Sequence, residues 1–274
     1  MDPRLSATDR RPAVLVCDLD GTIVFDGEVP STDAAALQAW TAAGNLLVLD
    51  TGKSVDATRR VWTSALPRPD YVIAFTGAVI TDGDLVPLSV RSHDPALFPE
   101  VFRTVRDEVL ALYASTLERD YEVLNRAGIH SMILPAFEPA DAEWVAGQEL
   151  FGIPLFVPGD ADRARLAATL TDLVGDRGVL HRNQTFLDIV PAGATKGLGL
   201  RRLLADLVPD HGPVWTIGDS WNDLSMHAEA DHPIALRHSP AEVLAACETA
   251  VGSAHELIDR LLTATGPGRP GPAT

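Results

Sequence analysis

Cysteine is scarce. Cys17 and Cys247 are the only two in 274 residues, which excludes a disulfide framework. Long apolar runs are missing too, and no stretch approaches the ~18 residues of a membrane span. The opening segment MDPRLSATDRRP carries charge with no apolar stretch behind it, so it does not read as a secretory signal. These absences predict a cytoplasmic chain with no membrane partner. Positive charge is also short, since 22 Lys and Arg face 38 Asp and Glu for a formal net charge of −16. That balance works against nucleic acid and anionic lipid as partners. Metal-dependent chemistry stays open, because carboxylates must cluster somewhere to hold a hard cation. The 8 histidines show no metal-ligand spacing, and no internal repeat is present.

What the chain does have is apolar content, 46% of its residues, enough for a substantial core. Its length suggests one large or two modest domains. Residues 1–11 are polar and 266–274 are rich in Pro and Gly, so both read as flexible tails. Between them, Ala13–Cys17, Asn45–Asp50 and Tyr71–Phe75 are continuous apolar runs, as expected of strands buried on both faces. Helical patterns over Ser31–Ala43, opened by a Ser/Thr/Asp cluster able to cap it, and Ser54–Leu66 separate them. Strands alternating with helices at this spacing predict βαβ units and a parallel sheet.

The rhythm then changes. Asp82-Gly83-Asp84 between apolar flanks predicts a hairpin over 79–90. Leu97, Val101, Val105 and Val109 form one stripe, which predicts a long helix over 96–117. Strand-like pieces at 129–134, 153–157 and 178–190 surround a helix near 161–174. The βα rhythm returns with helices near 196–207, after Asp223, and near 240–248 and 254–263, and with strands at 213–217 and 233–236. The predicted fold is α/β: a Rossmann-like doubly wound parallel sheet core over 12–82 and 188–265, interrupted by an inserted α+β cap over 83–187.

In open α/β sheets chemistry gathers at the carboxyl ends of the strands. The first predicted strand ends in Asp18-Leu19-Asp20-Gly21-Thr22, the second in Thr51-Gly52-Lys53, and the strand at 213–217 in Gly218-Asp219-Ser220-Trp221-Asn222-Asp223. Carboxylates at neighbouring strand ends stay ionised together only if a cation is supplied. Asp18, Asp20, Asp219 and Asp223 offer oxygen alone, with no His or Cys cluster nearby, and that selects Mg²⁺ over zinc. Lys196 would add a fixed positive charge. Asp18 and Asp20, two apart, suit a nucleophile and a general acid/base. Thr51 and the backbone amides after the first strand could bind the oxygens of an anion. Cys17 sits in an apolar run and is turned away from its neighbour by strand alternation, which makes it a core filler rather than a nucleophile.

These residues resemble the motifs of the haloacid dehalogenase superfamily. DLDGT at 18–22, TGK at 51–53, Lys196 and GDSWND at 218–223 are similar to its four motifs, in order, and the likeness covers nearly all of the core. The insertion falls between the second and third motifs, which resembles the cap position of the Cof-type, sucrose-phosphatase-like (subfamily IIB) branch. FTGA at 75–78 and DIVPAGATKG at 188–197 are similar to that branch too. The resemblance implies a Mg²⁺-dependent phosphatase for a small phosphorylated metabolite, with a sugar or polyol phosphate as the leading class. Asp18 would form an aspartyl-phosphate, and Asp20 would protonate the leaving alcohol and then activate water. Thr51 and Lys196 would hold the phosphoryl group, and Gly21, Thr22, Gly52, Lys53 and Asn222 would help bind substrate. Mg²⁺ would take Asp18, the Asp20 carbonyl and Asp219, with Asp223 in support.

His130 and His181-Arg182-Asn183 lie on predicted cap strands, where they either meet the leaving group or are ordinary surface polar residues, and cap closure would exclude water. Three departures from the family pattern stand out. Lys53 takes the place of a frequent Arg, Thr76 that of an Asn before Gly-Ala, and Arg237-His238-Ser239 that of an Asn-bearing loop. The rival reading within enzymes is a phosphomutase, which needs a second phosphate site. Arg91, Arg103, Arg119, Arg126 and Arg182 are the available cations for it. A regulatory protein with a phosphorylatable Asp is the rival outside enzymes, and the insertion and Asp20 argue against it. A dehalogenase would lack Asp20. The oligomeric state is not set by these patterns.

Overall fold

The computed structural model describes residues 11–61, 66–126, 128, 137–183 and 185–264. Its elements begin with β1 (Val14–Cys17), α1 (Ser31–Ala42), β2 (Leu46–Asp50), α2 (Val55–Val61) and β3 (Tyr71–Ala74). Next come β4 (Val79–Asp82), β5 (Pro87–Val90), α3 (Leu97–Val105), β6 (Ala111–Ser115), β7 (Asp120–Asn125) and β8 (Glu138–Pro139). After these follow α4 (Ala142–Ala146), β9 (Ile153–Phe156), α5 (Asp160–Val174), β10 (Gly178–Asn183) and β11 (Phe186–Pro191). The chain then runs through α6 (Lys196–Arg202), β12 (Val214–Gly218), α7 (Leu224–His227) and β13 (His232–Leu236). It closes with α8 (Ala241–Ala246), β14 (Thr249–Val251) and α9 (Ala254–Ala264). Two compact units result, one of residues 11–49, 66–70 and 204–264, the other of 50–61 and 71–203.

In the first unit the strands lie in the order β14-β13-β12-β1-β2, every neighbouring pair parallel. All four residues of β1 are buried, because β1 has a strand on either side and both faces covered. This is why its sequence is an unbroken apolar run. Cys17 is fully buried there, and burial, followed by the charges of Asp18 and Asp33, pushes its thiol far up, so it is an inert filler. Helix α1 starts after Pro30 with no side-chain cap. Of the Ser/Thr/Asp cluster expected to cap it, Asp33 instead accepts a 2.7 Å bond from the amide of His255 at the start of α9.

In the second unit β3, β4 and β5 form an antiparallel meander; the Asp82-Gly83-Asp84 turn predicts its β4–β5 hairpin, whereas the antiparallel pairing of β3 with β4 had no signal in the alternating pattern. A separate six-stranded sheet has the order β10-β11-β9-β6-β7-β8 and is antiparallel except for β7 with β8. Helices α3 and α5 bury Leu97, Val101, Val105, Leu166 and Leu170 in one cluster with Leu155, Leu187 and Ile189 of that sheet. Each such side chain contributes roughly 1.5–3 kcal/mol on burial.

The helix expected over 96–117 is corrected by the structure. Helix α3 stops at Val105, and Ala111–Ser115 is strand β6, buried at every position between β7 and β9. An apolar run of this length fits a buried helix or a buried strand equally well, and pairing decides it. Likewise 178–190 is two strands, β10 and β11, paired in a hairpin. The strand expected at 129–134, with His130, lies outside the described residues, as do residues 62–65 of the second predicted helix and the segments 1–10 and 265–274.

Candidate active site

In the first unit, β1 and β12 are parallel neighbours with Cys17 opposite Ile217. Asp18 follows the last residue of β1 and Asp219 follows Gly218, the last residue of β12, so the two aspartates leave the same sheet edge, and the Asp18 amide donates to the Ile217 carbonyl across 3.0 Å. One carboxylate oxygen each from Asp18, Asp219 and Asp223 lies within 4.8 Å of the others. Asp18 and Asp223 are buried, and Asp219 is partly so. Thr22 Oγ1, itself fully buried, stands 3.2 Å from Asp18 Oδ2 and 3.1 Å from Asp219 Oδ1.

The same unit explains why these loops hold their shape. Gly21 has φ 78°, and a Cβ there would come within 2.7 Å of Asp219 Oδ2, so only glycine fits the turn. Asp223 Oδ2 accepts from the amides of Asp219 and Ser220 at 3.0 and 2.9 Å, which fixes the loop that carries Asp219. Asn222 Oδ1 accepts from Ser220 Oγ in that loop. Asp20 is exposed, and its carboxylate is not part of the three-carboxylate group. Three converging carboxylates with no nitrogen or sulfur donor among them are the donor set of a hard divalent cation, so this group fits Mg²⁺.

The second unit holds Thr51, Gly52, Lys53 and Lys196. Thr51 is buried, its amide donating to the Ile73 carbonyl at 2.8 Å and its Oγ1 accepting from the Lys53 amide at 3.1 Å. The turn after β3 backs this loop. Phe75, Thr76 and Gly77 have successive φ values of 51°, 54° and 95°. The amides of Phe75 and Thr76 donate to the carbonyls of Lys53 and Thr51 at 2.8 and 3.1 Å. Three left-handed residues in a row are costly, and such strain persists only where neighbours over-determine it.

A Cβ on Gly77 would come within 2.0 Å of the Thr195 carbonyl, so the same turn packs directly against the start of α6. There Thr195 caps α6 by accepting from the Leu198 amide, and Lys196 is its fully buried first residue. A cation at a helix N-terminus lies at the unfavourable end of the dipole, and a buried lysine requires anionic company.

His181 and Arg182 are consecutive on β10, opposite Asp188 and Leu187 of β11. Strand alternation sends them to opposite faces, so one surface can take only one of them. Burial lowers the His181 pKa, partly opposed by its hydrogen bond to the Ala194 backbone, whereas Arg182 is exposed. His238 lies within reach of Gly21 and Asp219 although no motif flagged it as a site residue. The only signal was that its loop departs from the family pattern. Among the described residues no helix is long and apolar enough to cross a membrane.

Comparison with known proteins agrees with this geometry. Residues 15–257 match the family profile described as haloacid dehalogenase-like hydrolase. The chain is 30% identical over 217 residues to the glucosylglycerol-phosphate synthase of Pseudomonas anguilliseptica, covering 78% of this chain and 24% of that protein. It thus spans about a quarter of that relative's length. It is 24% identical over 255 residues to YxeH of Bacillus subtilis (strain 168), whose name carries a provisional phosphatase assignment, covering 89% of this chain and 94% of YxeH. Among solved structures, TM0651 from Thermotoga maritima superposes with a TM-score of 0.78 at 20% identity, over 92% of this chain and 97% of that one. The protein described as the HAD subclass IIB sugar phosphatase BT4131 gives 0.73 at 17% identity, over 93% and 99%. A motif set in order, a parallel sheet carrying its acids at one edge and a matching family profile over most of the length lead to one conclusion: the chain is an enzyme of the haloacid dehalogenase-like hydrolases.

Proposed function

We propose that this hydrolase is a Mg²⁺-dependent phosphatase of a small phosphomonoester, a sugar or polyol phosphate being the leading class, working through an aspartyl-phosphate. The observation that carries the reading is the convergence of Asp18, Asp219 and Asp223 beside two parallel strand ends. Asp18, Asp219 and Asp223, with the Asp20 carbonyl, would hold the cation. Bound there, Mg²⁺ neutralises charge on the phosphoryl oxygens and lets the carboxylates stay ionised together.

The chain's own groups divide the remaining work. An Asp18 carboxylate oxygen forms a bond to phosphorus as the ester P–O bond breaks. Asp20, exposed and outside the metal group, gives its proton to the departing alkoxide. It then takes a proton from water, whose oxygen attacks phosphorus and releases Asp18 and inorganic phosphate. Thr22 orients Asp18 through its hydroxyl. Thr51 and the buried Lys196, with Gly52, Lys53 and Asn222, are assigned to the phosphoryl oxygens. The inserted block, 83–187, is assigned to reading the leaving group.

Phosphatase is preferred over mutase because four of the five candidate arginines of a second phosphate site, all but Arg182, are engaged separately. Arg119 pairs with Glu138, Arg126 with Asp107, Arg103 bonds the Pro99 carbonyl and Arg91 the Ala192 carbonyl. Phosphate release from a panel of sugar phosphates tests the reading. Turnover with Mg²⁺ and none with EDTA is the expected result; equal rates in both would refute it.

A further inference from the structure

We propose that His238 is a positioning residue for the carboxylate group, fastening the Gly21 turn to Asp219 in the geometry that receives a divalent cation. The inference rests on the metal reading above. His238 follows the carboxyl end of β13, the strand beside β12. Its Nε2 is 3.0 Å from the Gly21 carbonyl and 3.6 Å from Asp219 Oδ2. A carbonyl only accepts, so the tautomer that satisfies Gly21 carries its proton on Nε2. The longer approach to Asp219 is an electrostatic contact rather than a hydrogen bond.

Two further contacts make this a clasp rather than a chance approach. Gly21 and Asp219 already interlock, since a Cβ on Gly21 would sit 2.7 Å from Asp219 Oδ2. Thr22 Oγ1 ties the far side of the same turn to Asp219 Oδ1 at 3.1 Å. His238 closes the near side, holding the Gly21 carbonyl and so the turn in which Asp20 presents its own. Phe25 packs edge-on to the imidazole, with ring centroids 6.3 Å apart and planes at 73°. The imidazole is 52% exposed, so its removal leaves no core cavity. Loss of His238 is therefore read in the site and not in the fold.

The test is calorimetric titration of Mg²⁺ into the full chain as wild type, His238→Ala and His238→Gln, with metal-free melting of each. Glutamine is the informative variant because its amide nitrogen reaches about as far as imidazole Nε2 and keeps an N–H donor. His238→Ala raises the Mg²⁺ Kd by at least about tenfold, the range for residues that orient metal ligands. His238→Gln recovers most of that affinity, and the metal-free Tm of all three agrees within about 2 °C, less than the shift a 1 kcal/mol loss produces. The same Kd in His238→Ala as in wild type overturns the inference. So does a loss in His238→Gln as large as in His238→Ala, or a metal-free Tm that falls in step with affinity. A wild type that binds no Mg²⁺ overturns the metal reading itself, and this inference with it.

Discussion

Thr22 Oγ1 lies 3.1 Å from Asp219 Oδ1 and joins positions 197 apart in the chain. The same hydroxyl faces Asp18 Oδ2 at 3.2 Å, so one buried side chain orients two carboxylates of the candidate metal group. Valine matches threonine in shape and removes that donor. Thr22→Val should lower phosphate release by about tenfold or more and stability by about 1–3 kcal/mol, the range for losing a hydrogen bond to a charged group. Steady-state assay and a urea melt measure the two effects.

Without a cation, Asp18, Asp219 and Asp223 repel one another across at most 4.8 Å. Asp219→Asn removes one charge and one ligand at once. The metal-free variant should melt at or above the wild-type temperature, while the rise in Tm that Mg²⁺ gives the wild type should vanish. Thermal unfolding in EDTA and in excess Mg²⁺ compares the four conditions.

Thr76 holds φ 54°, a region that β-branched residues avoid and asparagine tolerates. Thr76→Asn should stabilise the chain by about 1 kcal/mol through relief of that strain. A denaturant midpoint below that of wild type would contradict the strain argument.

His93 is buried, and burial lowers its pKa to about 4, with the Ile189 carbonyl opposing the shift. The folded state therefore binds this proton less readily than the unfolded chain does. Its contribution is fully present above the ordinary imidazole value and is lost as pH falls from about 6.5 through 4, up to roughly 3 kcal/mol in all. His93→Gln should flatten stability against pH in that window. Asp120 acts with the opposite sign, because burial raises its carboxyl pKa, so its proton favours the folded state as pH falls. Urea melts across the acid range separate the two.

The sheet edge was legible in the sequence because strands covered on both faces leave unbroken apolar runs. Val14–Cys17 and Val214–Ile217 could be located, and the acids after them named, without coordinates. Ala111–Ser115 was not legible as a strand, since its apolar residues continue the stripe of α3 and only pairing with β7 and β9 separates them. His238 was hidden for a different reason. Its contacts to Gly21 and Asp219 arise from strand adjacency and from a left-handed turn, neither of which has a local pattern. Lys196 was located by its motif, but its complete burial came only from the packing around α6.

The central claim is that Asp18 carries the phosphoryl group. Rapid quenching in acid during turnover of a sugar phosphate with Mg²⁺, followed by mass spectrometry of the peptides, tests it most directly. The expected result is the mass of one phosphoryl group on the peptide bearing Asp18, and no such mass or turnover in Asp18→Asn. Sustained turnover by Asp18→Asn, or a phosphoryl group on any other residue, would contradict it.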